Sequence, residues 1–173
     1  MGGARSPPAW PSISRSALRR GRGDDGRVSP RGARQGRTSQ GGGAMPKTLR
    51  QSVTFKASPR AVYEALMDSR KHAAFSGMPA RISRKPGGRF TAYGPYLSGV
   101  NLELFPGRKI VQFWRSKNWP KFHYSTVTFV LTKVKGGTRL DFTQAGVPDN
   151  DYKAKKSGWI HRYWEPMKAM LER

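Results

Sequence analysis

Residues 124–171 read YSTVTFVLTKVKGGTRLDFTQAGVPDNDYKAKKSGWIHRYWEPMKAML. Over Tyr124–Val134 the side chains alternate. Ser125, Val127, Phe129 and Leu131 face one way, and Thr126, Thr128 and Thr132 the other. A period of two marks a half-buried strand. Gly136-Gly137 turns the chain, and Thr138–Ala145 returns with Leu140, Phe142 and Gln144 inward. The period then changes. From about Tyr152 to Leu171 the residues Trp159, Tyr163, Trp164, Met167 and Leu171 share one broad helical face. Asp149 or Asp151 is placed to cap that helix. A hairpin followed by a helix with a wide apolar face predicts a sheet with a helix laid across it.

The preceding residues extend the sheet. Leu49–Ala57 alternates, with Val53 and Phe55 on one face. Ser58-Pro59 then opens a helix, serine as N-cap and proline as first helical residue. Val62, Ala65, Leu66 and Ser69 form its apolar side, and Arg70–Phe75 adds a further helical turn. Pro86-Gly87-Gly88 leads into an aromatic strand, Arg89–Tyr93. Leu97–Phe105 follows, with Gly99 as the expected bulge; Pro106-Gly107 makes a hairpin, and Lys109–Arg115 returns. The predicted class is α+β: a curved antiparallel sheet wrapped around a long C-terminal helix, with one or two short helices after the first strand.

Composition bounds the chemistry. The 173 residues contain no cysteine, which excludes disulfides, thiol catalysis and cysteine-based metal sites. No apolar run approaches the ~20 residues that span a bilayer, and no apolar N-terminal signal core is visible. The formal charge of +23 is divided unevenly. Residues 1–44 carry nine Arg, no Lys and two Asp, in a Gly-, Ser- and Pro-rich context. They read as a disordered basic leader preceding a domain over 45–173. Three accounts of the leader stand open: an organelle-targeting peptide, a basic nucleic-acid-binding tail, or a stretch never selected as protein because translation starts at Met45. The expected location is cytoplasmic. Gly21-Arg22-Gly23-Asp24-Asp25-Gly26 matches a dinucleotide fingerprint in letters only, because neither the strand nor the helix it needs is present.

An ordered series of motifs carries a family resemblance. It begins with Val53-Thr54-Phe55-Lys56-Ala57-Ser58-Pro59 leading into Val62-Tyr63-Glu64-Ala65-Leu66, then Gly87-Gly88-Arg89-Phe90. It continues with Asn101-Leu102-Glu103-Leu104 before Pro106-Gly107, Ile110-Val111-Gln112 with Trp114-Arg115, and Gly137-Thr138-Arg139-Leu140. It ends with Phe142-Thr143-Gln144 through Val147-Pro148, and Gly158-Trp159. In these residues the chain resembles the START-like (SRPBCC) superfamily. Within it, the chain resembles the family of the C-terminal domain of the heat-shock protein 90 ATPase activator. The resemblance implies a helix-grip fold with an internal cavity. It does not imply one activity, since such folds serve carriers, cyclases and chaperone helpers.

Catalytic signals are weak. His72, His123 and His161 have no metal-ligand spacing, and all three are expected at the surface. Glu64 and Asp68 are four apart on one helix, a spacing more common on exposed faces than in acid–base pairs. No nucleophile–base pair stands out, and no cofactor is expected. The stronger signal is aromatic and amide-bearing. Gln112, Trp114, Tyr124, Phe142, Gln144, Trp159 and Tyr163 are expected to face the space between sheet and helix, as ligand-binding residues. A buried glutamine needs partners, because an unpaired one costs roughly 1–3 kcal/mol. An empty cavity of ~300 Å³ would cost about 7 kcal/mol at ~24 cal/mol per Å³. Such a space is therefore filled, by a ligand, by water or by the aromatics themselves.

Three functions remain open on these grounds. The leading one is binding of a small hydrophobic or aromatic ligand, as carrier or sensor. A second is a chaperone-associated module that binds an acidic protein or nucleic-acid partner, motivated by the formal +16 of residues 45–173. A third is a cyclase- or hydrolase-type enzyme using Tyr124, Tyr163 or Glu103 as its acid–base group.

Overall fold

The computed structural model describes residues 45–173. The expected leader and the glycine-rich letters within it lie outside the described residues. The chain forms β1 (Lys47–Phe55), α1 (Pro59–Met67), α2 (Ser69–Ser76), β2 (Arg81–Ile82), β3 (Arg89–Ala92), β4 (Leu97–Phe105), β5 (Lys109–Ser116), β6 (Ser125–Val134) and β7 (Gly137–Val147). A 3₁₀ turn at Asp149–Asp151 then leads into the last helix: α3 (Tyr152–Trp159), a π-helical turn (Ile160–Trp164) and α4 (Glu165–Leu171).

The seven strands form one antiparallel sheet in the order β1-β7-β6-β5-β4-β3-β2. Only β1 departs from sequence order, crossing to pair with β7. The two short helices make that crossing. Ser58 caps α1 by accepting from the Ala61 N–H, and Pro59 supplies a first residue with no N–H to waste. Asp68 ends α1 and caps α2, accepting from the N–H groups of Arg70 and Lys71. Gly77, with φ of +68°, closes α2 in the left-handed conformation that suits glycine.

Register places the core. Leu49, Gln144 and Val127 pair across three strands, as do Gln51, Phe142 and Phe129, and Val53, Leu140 and Leu131. On the other side Gln112 pairs with Val127 and Trp114 with Ser125. These rows face the helices, and all but Gln51 and Val53 are buried. The helix-grip α+β architecture is therefore present.

Two local expectations are corrected. The bulge in β4 lies between Asn101 and Glu103, not at Gly99, which pairs in regular register with Trp114. Gly99 is there for space. A Cβ at this position would sit 1.9 Å from the Phe113 carbonyl oxygen and 2.4 Å from the Phe90 ring. The other correction concerns the start of the last helix, where Asp151 stands at the N-cap position but its side chain makes no capping bond. Asp149 instead pairs with Lys47, and Asp151 accepts from the Trp119 indole and pairs with Lys155 at 3.2 Å.

The π turn has a visible cause. In such a turn residues five apart come into line. Trp159 and Trp164 accordingly stack, with ring centroids 5.4 Å apart and planes 21° apart. Two residues later, Pro166 has no N–H to give the Arg162 carbonyl four positions back. The Tyr93 hydroxyl donates to that carbonyl, tying the β3–β4 turn to the helix. Among the described residues no helix is long and apolar enough to cross a membrane.

Gly99→Ala is expected to cost about 3 kcal/mol, because the clash is with backbone as well as a ring. Urea unfolding of wild type and variant measures it. A cost under about 1 kcal/mol would show that the β3–β4–β5 corner has slack that the contacts deny.

Candidate functional site

Trp159 lies at the centre of the space between sheet and helix. Its ring is 4.3 Å from Phe142, 4.4 Å from Tyr163 and 4.9 Å from Trp114, centroid to centroid. Aromatic pairs at such spacing and tilt add attraction beyond the area they bury. Trp114, Phe142 and Tyr163 thus meet at Trp159 and narrow the cavity.

Three of the buried indole N–H groups have found a glutamine. Trp159 Nε1 donates to Gln144 Oε1 (2.8 Å), Trp114 Nε1 to Gln112 Oε1 (2.9 Å) and Trp164 Nε1 to Gln51 Oε1 (2.7 Å). The amide nitrogens pass the network on. Gln144 donates to Ser125 Oγ (2.9 Å), Gln112 to Asn101 Oδ1 (2.7 Å), and Gln51 to the Lys156 carbonyl (2.9 Å). Asn101 in turn donates to the Ser83 carbonyl at 2.6 Å. Gln112 and Gln144 therefore brace the interior. Gln51 plays the same part and was absent from the expected set. Its signal was its strand parity, since it stands two residues before Val53 on the same face.

What remains open is a cleft of about 410 Å³ beside the last helix. Trp114, Gln144, Trp159 and Tyr163 line it, while Tyr93, Tyr96, Lys155, His161 and Arg162 also border it. Of the other expected site residues, Gln112 lies deeper under Trp114, and Phe142 is buried beneath Trp159. Tyr124 precedes β6, half-buried and outside the lining.

The three histidines divide. His161 is exposed as expected and pairs with Glu165 at 2.9 Å. His123 is half-buried and bonds the Gly146 carbonyl at 2.7 Å. His72 is buried, contrary to expectation, at 3 % exposure. It sits on α2 against Phe75, Tyr93 and Tyr163, so the face of α2 that includes Phe75 extends to it. Burial drives its pKa down to about 4. Burial pushes the Tyr163 hydroxyl well above its usual range, with Tyr93 adding to the rise, and Tyr93 is pushed up to about 12. His72 Nδ1 and the Tyr163 hydroxyl are both buried without a partner among the described residues. Near neutral pH this is a neutral imidazole beside protonated phenols, which is poorly poised for acid–base catalysis.

The carboxylate pair is also occupied elsewhere. Arg84 grips Glu64 with two bonds (2.8 and 2.6 Å) and holds its carboxyl below the usual range. Asp68 is lowered chiefly by the Lys71 N–H of the α2 cap. Among the described residues no three His, Cys, Asp or Glu gather to hold a metal.

The family profile described as activator of Hsp90 ATPase homolog 1-like protein matches residues 56–172. The chain belongs to this family. Similar curated proteins include the activator of 90 kDa heat shock protein ATPase homolog of Dictyostelium discoideum, 35% identical over 65% of this chain and 30% of its own length. Homolog 1 of Homo sapiens is 31% identical over 66% of this chain and 34% of its own length. The chain thus spans about a third of these curated Hsp90 activator homologues. A solved structure described as an Hsp90 activator from Plasmodium falciparum superposes with a TM-score of 0.68 at 25% identity, covering 75% of this chain and 97% of that one. The Aha1 dimer from Colwellia psychrerythraea shares the fold, with a TM-score of 0.62 at 18% identity and coverage of 72% and 96%. Members of the activator family therefore share the architecture over which this chain lays its Trp–Gln network.

Two outcomes test the site. Gln144→Leu leaves the Trp159 indole N–H buried and unbonded, and is expected to cost about 2 kcal/mol in urea unfolding. Adding Trp159→Phe removes the orphan, so a double-mutant cycle should show positive coupling of roughly 1 kcal/mol; strict additivity would deny the bond its role. The second outcome concerns pH. Unfolded His72 binds a proton near its ordinary pKa of 6.5, and folded His72 only near 4. Its contribution is therefore whole above pH 6.5 and lost as pH falls toward 4. Stability should drop by about 2 kcal/mol between pH 7 and pH 4.5. His72→Phe should flatten that slope; an unchanged slope assigns it to other groups.

Proposed function

We propose that this domain is a chaperone-binding module that acts on an Hsp90-type chaperone. The observation carrying this reading is the likeness to curated Hsp90 ATPase activators at 31–35% identity over about two thirds of this chain. Two physical features support it. The interior is largely filled by aromatics, three of whose indoles are held by glutamines, which leaves the exterior as the larger working surface. That exterior carries a formal +16 over residues 45–173, suited to an acidic protein partner.

A second reading rests on the cleft. Its aromatic floor, with Lys155 and Arg162 at its border, suits a flat apolar molecule bearing an anionic group. This narrows the earlier carrier expectation to the open cleft of about 410 Å³ beside the last helix.

Titration calorimetry of the full 173-residue chain against a purified Hsp90-type chaperone separates the readings. Micromolar binding is expected, weakening about tenfold between ~50 and ~300 mM salt, together with faster ATP hydrolysis by the chaperone. No heat and no change in ATP turnover at low salt would overturn the chaperone reading. A thermal shift with an aromatic carboxylate, lost in Lys155→Glu, would favour the cleft instead.

A further inference from the structure

The segment between β5 and β6 holds an aromatic side chain in an unfavourable place. The His123 N–H bonds the Pro120 carbonyl at 3.0 Å, closing a four-residue turn. Phe122 is the third residue of that turn, with φ of +65°. Such a position favours glycine or asparagine, and a bulky side chain there is strained. Phe122 is nonetheless 72 % exposed, the most exposed aromatic among the large hydrophobics of the described residues. A lone exposed apolar residue is ordinary on a protein surface. This one also sits on a strained backbone in a tightly fixed loop.

The loop is fixed from several sides. Trp119 is buried, its indole donates to Asp151, and the Lys155 ammonium lies 5.6 Å from its ring centroid. Arg115 donates to the Trp119 carbonyl at 3.0 Å, and His123 bonds the Gly146 carbonyl at 2.7 Å. The Phe122 ring is thus displayed outward at little further ordering cost on binding. Charge frames it. Lys121 lies 5.2 Å from its ring centroid, and neither Lys117 nor Lys121 forms an ion pair among the described residues. The neighbouring carboxylates are already engaged, Asp149 by Lys47 and Asp151 by Lys155 and Trp119. Beside the loop, Pro46, Pro120 and Pro148 line a hollow of about 410 Å³.

We propose that the Lys117–His123 loop is the docking element for the protein partner, with Phe122 as the aromatic anchor and Lys117 and Lys121 as its cationic flank. This rests on the chaperone reading above and deepens it by naming the surface used. The partner face that fits is an apolar pocket rimmed by carboxylates. Aromatic anchors in desolvated pockets dominate interfaces of this kind, and flanking charges set encounter rate and salt dependence.

The test compares full-length wild type, Phe122→Gly, Phe122→Asn and Lys117→Glu/Lys121→Glu for binding to an Hsp90-type chaperone and for thermal melting. Gly and Asn both relieve the positive φ, so their melting should match or exceed wild type. Their affinity should fall by about tenfold or more. The double charge reversal should weaken binding and flatten its salt dependence. Wild-type affinity in both Phe122 variants would overturn the docking element while leaving the chaperone reading intact. No binding by the wild-type chain would overturn both. Phosphatidylserine vesicles supply the remaining arm: vesicle binding that Phe122→Gly abolishes, with chaperone affinity unchanged, would assign the loop to a lipid surface and overturn the proposal.

Discussion

Three tryptophans packed between one sheet and one helix bring three indole N–H groups out of water, and each must be given an acceptor. Left unpaired, each would cost roughly 1–3 kcal/mol, so together they would rival a typical stability of about 5–15 kcal/mol. The chain meets the demand with three glutamines on inward strand positions: Gln51 on β1, Gln112 on β5 and Gln144 on β7. A glutamine suits the task because its carbonyl accepts from the indole while its amide donates onward. The network thereby ties strands three places apart in the sheet, β1 and β5, to the same aromatic layer.

The helix has to be deformed to complete that layer. A regular α-helix presents Trp159 and Tyr163 to the sheet but turns Trp164 aside. The π turn corrects this by bringing residues five apart into line, and Trp164 then stacks on Trp159 and reaches Gln51. Pro166, just beyond the turn, leaves a carbonyl that the Tyr93 hydroxyl takes up. Tyr93 pays for that reach with a φ of +55°. Strain in the β3–β4 turn, a proline in the helix and a stacked indole pair form one linked arrangement.

Periodicity was enough for the architecture. The inward rows of β6 and β7 and the order of elements read directly from spacing, because burial on one face forces spacing, and the Ser58-Pro59 start reads from capping chemistry. The site was legible only in part. Gln144, Trp114, Trp159 and Tyr163 were assigned inward from parity and helical face, and they do meet at the cleft. That Gln112 and Gln144 would be engaged by indoles was not readable, because hydrogen-bond partners depend on three-dimensional approach. The burial of His72 is hidden in the sequence, because the short polar-looking segment Ser69–Ser76 has a buried face of only His72 and Phe75. Gly99 is ambiguous for a related reason: a strand glycine signals either a bulge or a close approach, and sequence does not distinguish them.

The same economy that closes the interior bears on where this domain works. Gln112 and Gln144 would have been the polar anchors of a ligand, but each already has a donor and an acceptor inside the protein. A ligand entering that layer would have to break bonds that hold the helix to the sheet, and the loss would fall on stability as well as affinity. A partner docking outside meets no such opposition. Trp119 is indeed buried like the other indoles, but its acceptor is Asp151, at the start of the last helix rather than within the sheet. The fourth tryptophan thus spends its hydrogen bond on fixing a surface loop, and that loop holds Phe122 in water against the preference of its own backbone.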